Sequence, residues 1–270
     1  MKHPCDLCGE TQTLPVPGDP SGKIGICTSC GFVYVAERRG VAEIAAAWSE
    51  IYANGTYDPE WSGVQARLFY VAVWINQNIG LRGKSVLDIG AGNGLFLEFC
   101  KQAGAEPTGL DPDEGNCAKV RSRSIPCLNG WAADGRNLSN KYDLICLNWC
   151  LENTADCLAV LRYAKRCLAP GGHVVVATGS RICVPWKKPL SSYLPQDKDY
   201  PHDTHCYRWS SRSLYRAAVM CGLLLQREND FHERDEMVNI FVDGKGPIPG
   251  VCDPPDMIAD YFSDWQKNFP

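Results

Sequence analysis

The 270-residue chain has room for one full α/β core and a small appendage, but hardly for two enzyme domains. Its net charge of -4 and pI near 5.8 give no general field for phosphate backbones, which argues against a nucleic-acid partner. No apolar run approaches the roughly 18 residues that span a bilayer, and the start Met1-Lys2-His3-Pro4 lacks the apolar segment of a secretory signal. The expectation is a cytoplasmic chain without membrane attachment.

Fifteen cysteines in such a chain point to a reducing compartment, where thiols act as metal ligands or small apolar residues rather than disulfide staples. Cys5, Cys8, Cys27 and Cys30 form two C-x2-C pairs with an 18-residue spacer, and Gly9 and Gly31 follow the second cysteine of each pair. A two-residue spacer lets both thiolates of a turn converge on one ion, and the glycine lets the backbone curl around it. Two such knuckles complete a closed tetrahedral shell, so a structural zinc ribbon is expected over residues 1–40, with the metal serving folding rather than chemistry. Cys100, Cys117, Cys127, Cys146, Cys157, Cys167 and Cys221 fall in apolar-periodic segments and read as core filler. Cys150, Cys183, Cys206 and Cys252 fall at loops or strand ends.

Residues 41–82 read as a helical linker or cap, with helices at Val41–Ala53 and Trp61–Ile79 separated by Asn54-Gly55 and Asp58-Pro59. Trp48, Tyr52, Tyr57, Trp61 and Tyr70 either line a substrate entrance or, as such stripes more often do, fill a core. From Lys84 short apolar runs alternate with helical stretches, the pattern of a parallel sheet covered on both faces. Strands are expected at Ser85–Ile89, Pro107–Leu110, Pro126–Leu128, Tyr142–Leu147, His173–Thr178, Leu223–Asn229 and Met237–Val242. Helices are expected at Gly94–Ala103, Glu114–Arg121, Ala155–Leu168 and Ser211–Cys221. The fold class is therefore α/β: a Rossmann-like, seven-stranded, mostly parallel sheet with helices on both faces over residues 83–243, plus the small N-terminal ribbon. Residues 244–270, rich in proline, read as a tail wrapping the surface.

The decisive segment is Val86-Leu87-Asp88-Ile89-Gly90-Ala91-Gly92-Asn93-Gly94, an apolar strand entering a glycine-rich turn and then a helix. Such turns let a ligand approach the backbone at the carboxyl end of a strand, where open α/β sheets bind ligands. Asp111 ends the next strand 21 residues after Gly90, where a carboxylate accepts hydrogen bonds from ribose hydroxyls. The turn is Gly-x-Gly-x-Gly rather than the dinucleotide pattern, and Asp88 just ahead of it would repel a pyrophosphate but suit an ammonium group.

These residues resemble the first motif of the class I S-adenosylmethionine-dependent methyltransferases. The resemblance runs over roughly residues 84 to 243 and takes in Tyr142 to Asn153 and Leu168-Ala169-Pro170-Gly171-Gly172-His173. It implies S-adenosylmethionine as cofactor, with Asp88, Gly90, Ala91 and Gly92 beside the methionine part and Asp111-Pro112 at the ribose. It further implies Gly130-Trp131-Ala132 near the adenine and the turn Asn148-Trp149-Cys150 on the cofactor's flank. Asn153 departs from the pattern, since many relatives have histidine after the Leu151-Glu152 pair. The base candidates are His205 first, then His202 beside Asp203, with Glu152 completing the catalytic set; imidazoles titrate near neutral pH. Arg181, Trp186, Lys187 and Lys188 form a basic cluster that suits either an anionic substrate or a solvated lid.

Ribbon and core together resemble bacterial enzymes of polysaccharide and secondary-metabolite pathways, including sugar C-methyltransferases with a similar four-cysteine module. Those continue into a large further domain, whereas this sequence stops soon after the seventh strand. The expectation is therefore O- or N-methylation of a sugar, sugar nucleotide or small metabolite. An RNA methyltransferase and a non-catalytic cofactor-binding scaffold are the alternatives.

Overall fold

The protein's structure, a computed structural model, describes residues 2–53, 62–132, 141–185, 189–194, 205–230 and 236–270. At the N-terminus, strands β1 (Thr13–Pro15), β2 (Ile24–Cys27) and β3 (Val33–Val35) pair antiparallel. Two helices follow, α1 (Val41–Ala53) and α2 (Ser62–Asn78). The alternating region comprises β4 (Ser85–Ile89), α3 (Leu95–Gln102), β5 (Glu106–Asp111), α4 (Glu114–Ser122), β6 (Cys127–Asn129), β7 (Tyr142–Asn148), α5 (Cys157–Cys167) and β8 (Leu168–Thr178). It continues through a short helix α6 (Leu190–Tyr193), β9 (Tyr207–Arg208), α7 (Ser211–Met220), β10 (Leu223–Glu228), β11 (Met237–Asp243) and α8 (Pro255–Asn268).

The large sheet has the order β10-β11-β8-β7-β4-β5-β6, parallel except for β11, which runs antiparallel to both neighbours. Its central strands read as continuous apolar runs because helices cover both faces: Leu144, Ile145, Cys146 and Leu147 are all fully buried. The covering helices begin where side chains satisfy their free N–H groups. Asp113 caps α4 by accepting from Asn116 N, Asp156 caps α5 by accepting from Ala159 N, and Ser210 caps α7 within a capping box. The seven cysteines expected as core filler are all buried. No helix among the described residues is long and apolar enough to cross a membrane.

Short strand β9 adds to the N-terminal sheet, giving the order β1-β2-β3-β9 through the register Val33↔Arg208 and Tyr34↔Tyr207. Phe32 and Tyr34 beside the cysteine knuckle therefore share one apolar cluster with Leu147, Tyr207 and Trp209 of the larger body, and the Phe32 and Trp209 ring centroids are 5.0 Å apart. The proline-rich C-terminal stretch is helical in part. Its last part forms α8, with Pro255 in the first turn, where a missing N–H costs nothing. Ile258, Phe262 and Trp265 of α8 are buried against Val16, Ile24, Ile26, Val33 and Val35 of the small sheet.

Candidate active site

The chain order places β5 on one side of β4 and β7 on the other, a switch point at which the connections leave in opposite directions and open a crevice at the strands' carboxyl ends. A cleft of about 920 Å³, including its open mouth, lies there. Ile89 and Gly90 end β4, Leu110-Asp111-Pro112 end β5, Gly130-Trp131-Ala132 follow β6, and Trp149-Cys150 follow β7; all line it. Helix α1 forms the opposite wall with Val41, Ile44, Ala45, Trp48, Ser49 and Tyr52, and Ser49 Oγ donates to Asp113 Oδ2 at 2.9 Å.

Gly90 has φ 77°, and a Cβ there would meet Cys150 Sγ at 2.7 Å, so both conformation and space require glycine. The next turn folds back on Asp111: Gly92 N donates to Asp111 Oδ2 and Asp113 N to Oδ1, each at 2.9 Å. Burial pushes the Asp111 carboxyl up to about 6 against these donors. Oδ1 also accepts from Asn116 Nδ2 at 3.4 Å, and Oδ2, with one donor, keeps a lone pair for a further one. Ala91, Gly92, Asp88 and Asn148 do not line the cleft; they stand next to lining residues along the same turn and strands. Asp88 is buried and accepts from Asn148 Nδ2 at 3.0 Å, and its carboxyl is raised well above the usual range by burial, with Asp111 adding to the rise.

Trp149 adopts φ 48°, rare for a large side chain, beneath the Arg67 guanidinium at 5.1 Å from its ring centre. Asn153 lines the cleft; its Nδ2 donates to Trp149 O at 2.8 Å, leaving its buried Oδ1 unpartnered. Cys150 also lines the cleft, and burial raises its thiol well above the ordinary value, which keeps it protonated.

The three base candidates fare differently. His205 packs its ring edge-on against the cleft residue Trp48, centroids 5.8 Å apart, and does not itself line the cleft. Glu152 is 2% exposed and does not line the cleft. It accepts from Gly179 N at 3.3 Å while its Oε2 is unpartnered, and burial lifts it to about 6. His202 and Asp203 lie outside the described residues, as do Tyr57, Trp61, Trp186, Lys187 and Lys188. Of the proposed basic cluster, Arg181 is buried and engaged with Glu228 at 2.7 Å and with Ser211, so its charge is spent inside the fold. Trp48 and Tyr52 line the cleft, whereas Tyr70 packs beside the core and accepts from Asn229.

The residues missed by motif reading are Ser49 and the cleft rim Thr154-Ala155-Asp156. The apolar recurrence of Val41, Ile44, Ala45, Trp48 and Tyr52 at i, i+3, i+4, i+7 and i+11 was the available signal for α1.

On the other side of α1's entry, the sulfurs of Cys5, Cys8, Cys27 and Cys30 all lie within 4.8 Å of one another, with Cys5–Cys30 at 3.7 Å and Cys8–Cys27 at 3.4 Å. A tetrahedral zinc with bonds of about 2.3 Å demands sulfur separations of about 3.8 Å. The donor set therefore fits that ion. Gly31, at φ 75°, leaves no room for a side chain, because a Cβ would fall 1.9 Å from Asp253 O.

Strand order, reversed strand and glycine turn together define the architecture of class I methyltransferases. The chain belongs to the methyltransferase domain family, whose description matches residues 66–225. Among curated relatives, a ubiquinone biosynthesis O-methyltransferase of Pseudomonas paraeruginosa is 33% identical over 117 residues, which is 40% of this chain and 50% of the relative. The chain thus spans about half the length of the curated relatives it matches. Among solved structures, the 1,6-didemethyltoxoflavin-N1-methyltransferase of Burkholderia thailandensis, with bound 1,6-didemethyltoxoflavin and S-adenosylhomocysteine, is 15% identical with a TM-score of 0.56, covering 79% of this chain and 96% of that one. The magnesium protoporphyrin IX methyltransferase of Synechocystis PCC 6803, with bound SAM, is 16% identical with a TM-score of 0.51, covering 74% and 90%. These likenesses show a shared fold.

Proposed function

We propose that this chain is an S-adenosylmethionine-dependent methyltransferase that methylates an oxygen or nitrogen of a sugar, sugar nucleotide or small metabolite. The observation that carries the reading is the switch-point cleft, a concave site at the carboxyl ends of the parallel strands, where open α/β sheets bind small ligands. Its wall offers a buried carboxylate on one strand end beside a glycine turn on the next. Asp111 would accept from the ribose hydroxyls, with Pro112 beside it; Gly130, Trp131 and Ala132 would flank the adenine. Gly90, Ala91 and Gly92 would border the methionine part, backed by Asp88 and Asn148, with Trp149 beside the sulfonium. Relatives named for ubiquinone and for a toxoflavin precursor support a small acceptor.

The cofactor supplies a methyl group on a positive sulfur, a good leaving group. When bound it would give that methyl to the acceptor's lone pair and leave as S-adenosylhomocysteine, and the acceptor's proton would pass to a base of this chain. The protein's task is chiefly to align the acceptor and exclude water, for which α1 forms the wall. His205 beside Trp48 is the first candidate for the proton. Glu152, buried away from the cleft, suits holding the turn before Asn153 better than meeting an acceptor. His202 remains a candidate. The cysteine shell would hold a structural zinc.

Turnover tests this: S-adenosylhomocysteine release is followed across hydroxyl and amine acceptors, sugar nucleotides and phenols included. Turnover with one class, falling roughly 10²- to 10⁴-fold in His205→Ala at unchanged cofactor affinity, is expected. Full turnover in that variant removes His205 as the base.

A further inference from the structure

We propose that Asp6, Arg38 and Tyr207 are positioning residues that make the four-cysteine module part of the cofactor site, so that metal in the module and cofactor in the cleft favour each other. Asp6 stands inside the first knuckle, between Cys5 and Cys8. Arg38 grips it with two hydrogen bonds, Nη2 to Oδ1 at 2.7 Å and Nη1 to Oδ2 at 3.1 Å, and both side chains are nearly inaccessible, 1% for Arg38 and 6% for Asp6. The same Nη2 donates to Ala155 O at 2.8 Å. Tyr207, its ring 5.1 Å from the Arg38 guanidinium carbon, shares its hydroxyl proton between Ala155 O at 3.0 Å and Asp6 Oδ1 at 3.2 Å, and accepts from Cys157 N at 3.3 Å.

Ala155 is a cleft residue, flanked by Thr154 and Asp156, which also line the cleft. This rim belongs to no strand and precedes α5, so its carbonyl finds its donors in the network that ends on the knuckle. Tyr207 lies on β9, paired with Tyr34 of β3, and so reaches the second knuckle through the sheet. Arg216 of α7 adds a further tie, donating to Leu7 O at 2.9 Å. Releasing the knuckle takes away Asp6, strips the buried Arg38 of its anionic partner, and so frees both donors to Ala155 O, Arg38 and Tyr207, from the carboxylate that orients them. A rim that holds its shape only with the knuckle formed binds its ligand more tightly in that state, and coupling between two ligands is necessarily reciprocal. The inference rests on the reading of the cleft as the S-adenosylmethionine site and on the fit of the cysteines to zinc.

The test uses the full chain loaded with zinc and S-adenosylhomocysteine as the probe. In the wild type, saturating probe is expected to tighten zinc binding about fivefold or more in equilibrium competition with a chromogenic chelator. Arg38→Met, assayed well below its melting temperature and with its zinc content checked, is expected to bind the probe about tenfold more weakly and to lose that tightening. Arg38→Lys, which keeps the charge but not the fork, should recover only part of both effects. Probe binding in the wild type with no change in zinc affinity overturns the coupling, and this arm decides even where Arg38→Met fails to fold. Equal probe affinity in a folded Arg38→Met overturns it as well. No probe binding to the wild type removes the cofactor reading itself, and the coupling with it.

Discussion

Burial lifts the Asp111 carboxyl from 3.8 to about 6 although Gly92 N, Asp113 N and Asn116 all donate to it. An acid raised on folding keeps its proton in the folded chain where the unfolded chain has lost it, here between about pH 4 and 6, so its contribution to stability is present at low pH and lost as the pH rises through 6. Hydroxyl donors from a ribose favour the charged form and reverse that bias. Affinity for S-adenosylhomocysteine should therefore be level above about pH 7 and fall below 6 by at most about tenfold per unit, because binding there must release the one proton held by Asp111. Calorimetry at several pH values checks this, and Asp111→Asn should flatten the fall while weakening binding throughout. Glu152, raised from 4.5 to about 6 and fully buried, carries the same sign for stability without facing the cleft. Glu152→Gln should accordingly lose up to about 2 kcal/mol of the wild type's decline in stability between pH 4 and 7, read from denaturant midpoints. Gly90→Ala combines a left-handed backbone with a 2.7 Å approach to Cys150 Sγ, and should abolish cofactor binding before it abolishes folding. At this scale Asp111 and Gly90 were legible as types at a spacing. The orphaned Oδ1 of Asn153 was not, since only the hydrogen bond to Trp149 O decides which way the amide faces.

Helix α1 has its apolar stripe turned to the cleft, with Ile44 and Ile51 anchoring it and Trp48, Ser49 and Tyr52 on the ligand side. Trp48→Ala should weaken S-adenosylhomocysteine binding by about tenfold or more through lost wall area while the melting temperature moves little, as calorimetry and thermal melts together would show. Helix α8 is the converse case, structural and away from the cleft. Trp265 is 1% exposed in the cluster beneath the small sheet, and Trp265→Ala should cost about 3–5 kcal/mol of stability by chemical denaturation with cofactor affinity in the surviving folded protein unchanged. The long periodic elements of the sheet and its helices stand where hydrophobic patterning puts them, within a few residues, because both faces of each strand are buried. Strands β1, β3 and β9, of three, three and two residues, carry too little pattern to read and exist through pairing. Helix α8 carries little sequence signal because Pro247, Pro249, Pro254 and Pro255 suggest irregular chain, yet proline at a helix's first turn is favoured.

Across the whole molecule the two chemical centres, cysteine shell and switch-point cleft, are each recognisable from local sequence, while their connection is not. Asp6, Arg38, Ala155 and Tyr207 are scattered over some 200 residues, and nothing short of the folded chain brings them within hydrogen-bond distance. The acceptor is likewise not written in any motif, because the walls of a small-molecule site come from side chains on several elements rather than from a run of residues. The proposed cofactor is the claim on which the rest of the account depends. Calorimetric titration of the zinc-loaded chain with S-adenosylmethionine and S-adenosylhomocysteine, with Asp111→Ala alongside, tests that claim most directly. Binding of both ligands at one site per chain, weakened at least about tenfold by the substitution, is the predicted result; no heat of binding from either ligand, or equal affinity in wild type and Asp111→Ala, would contradict it.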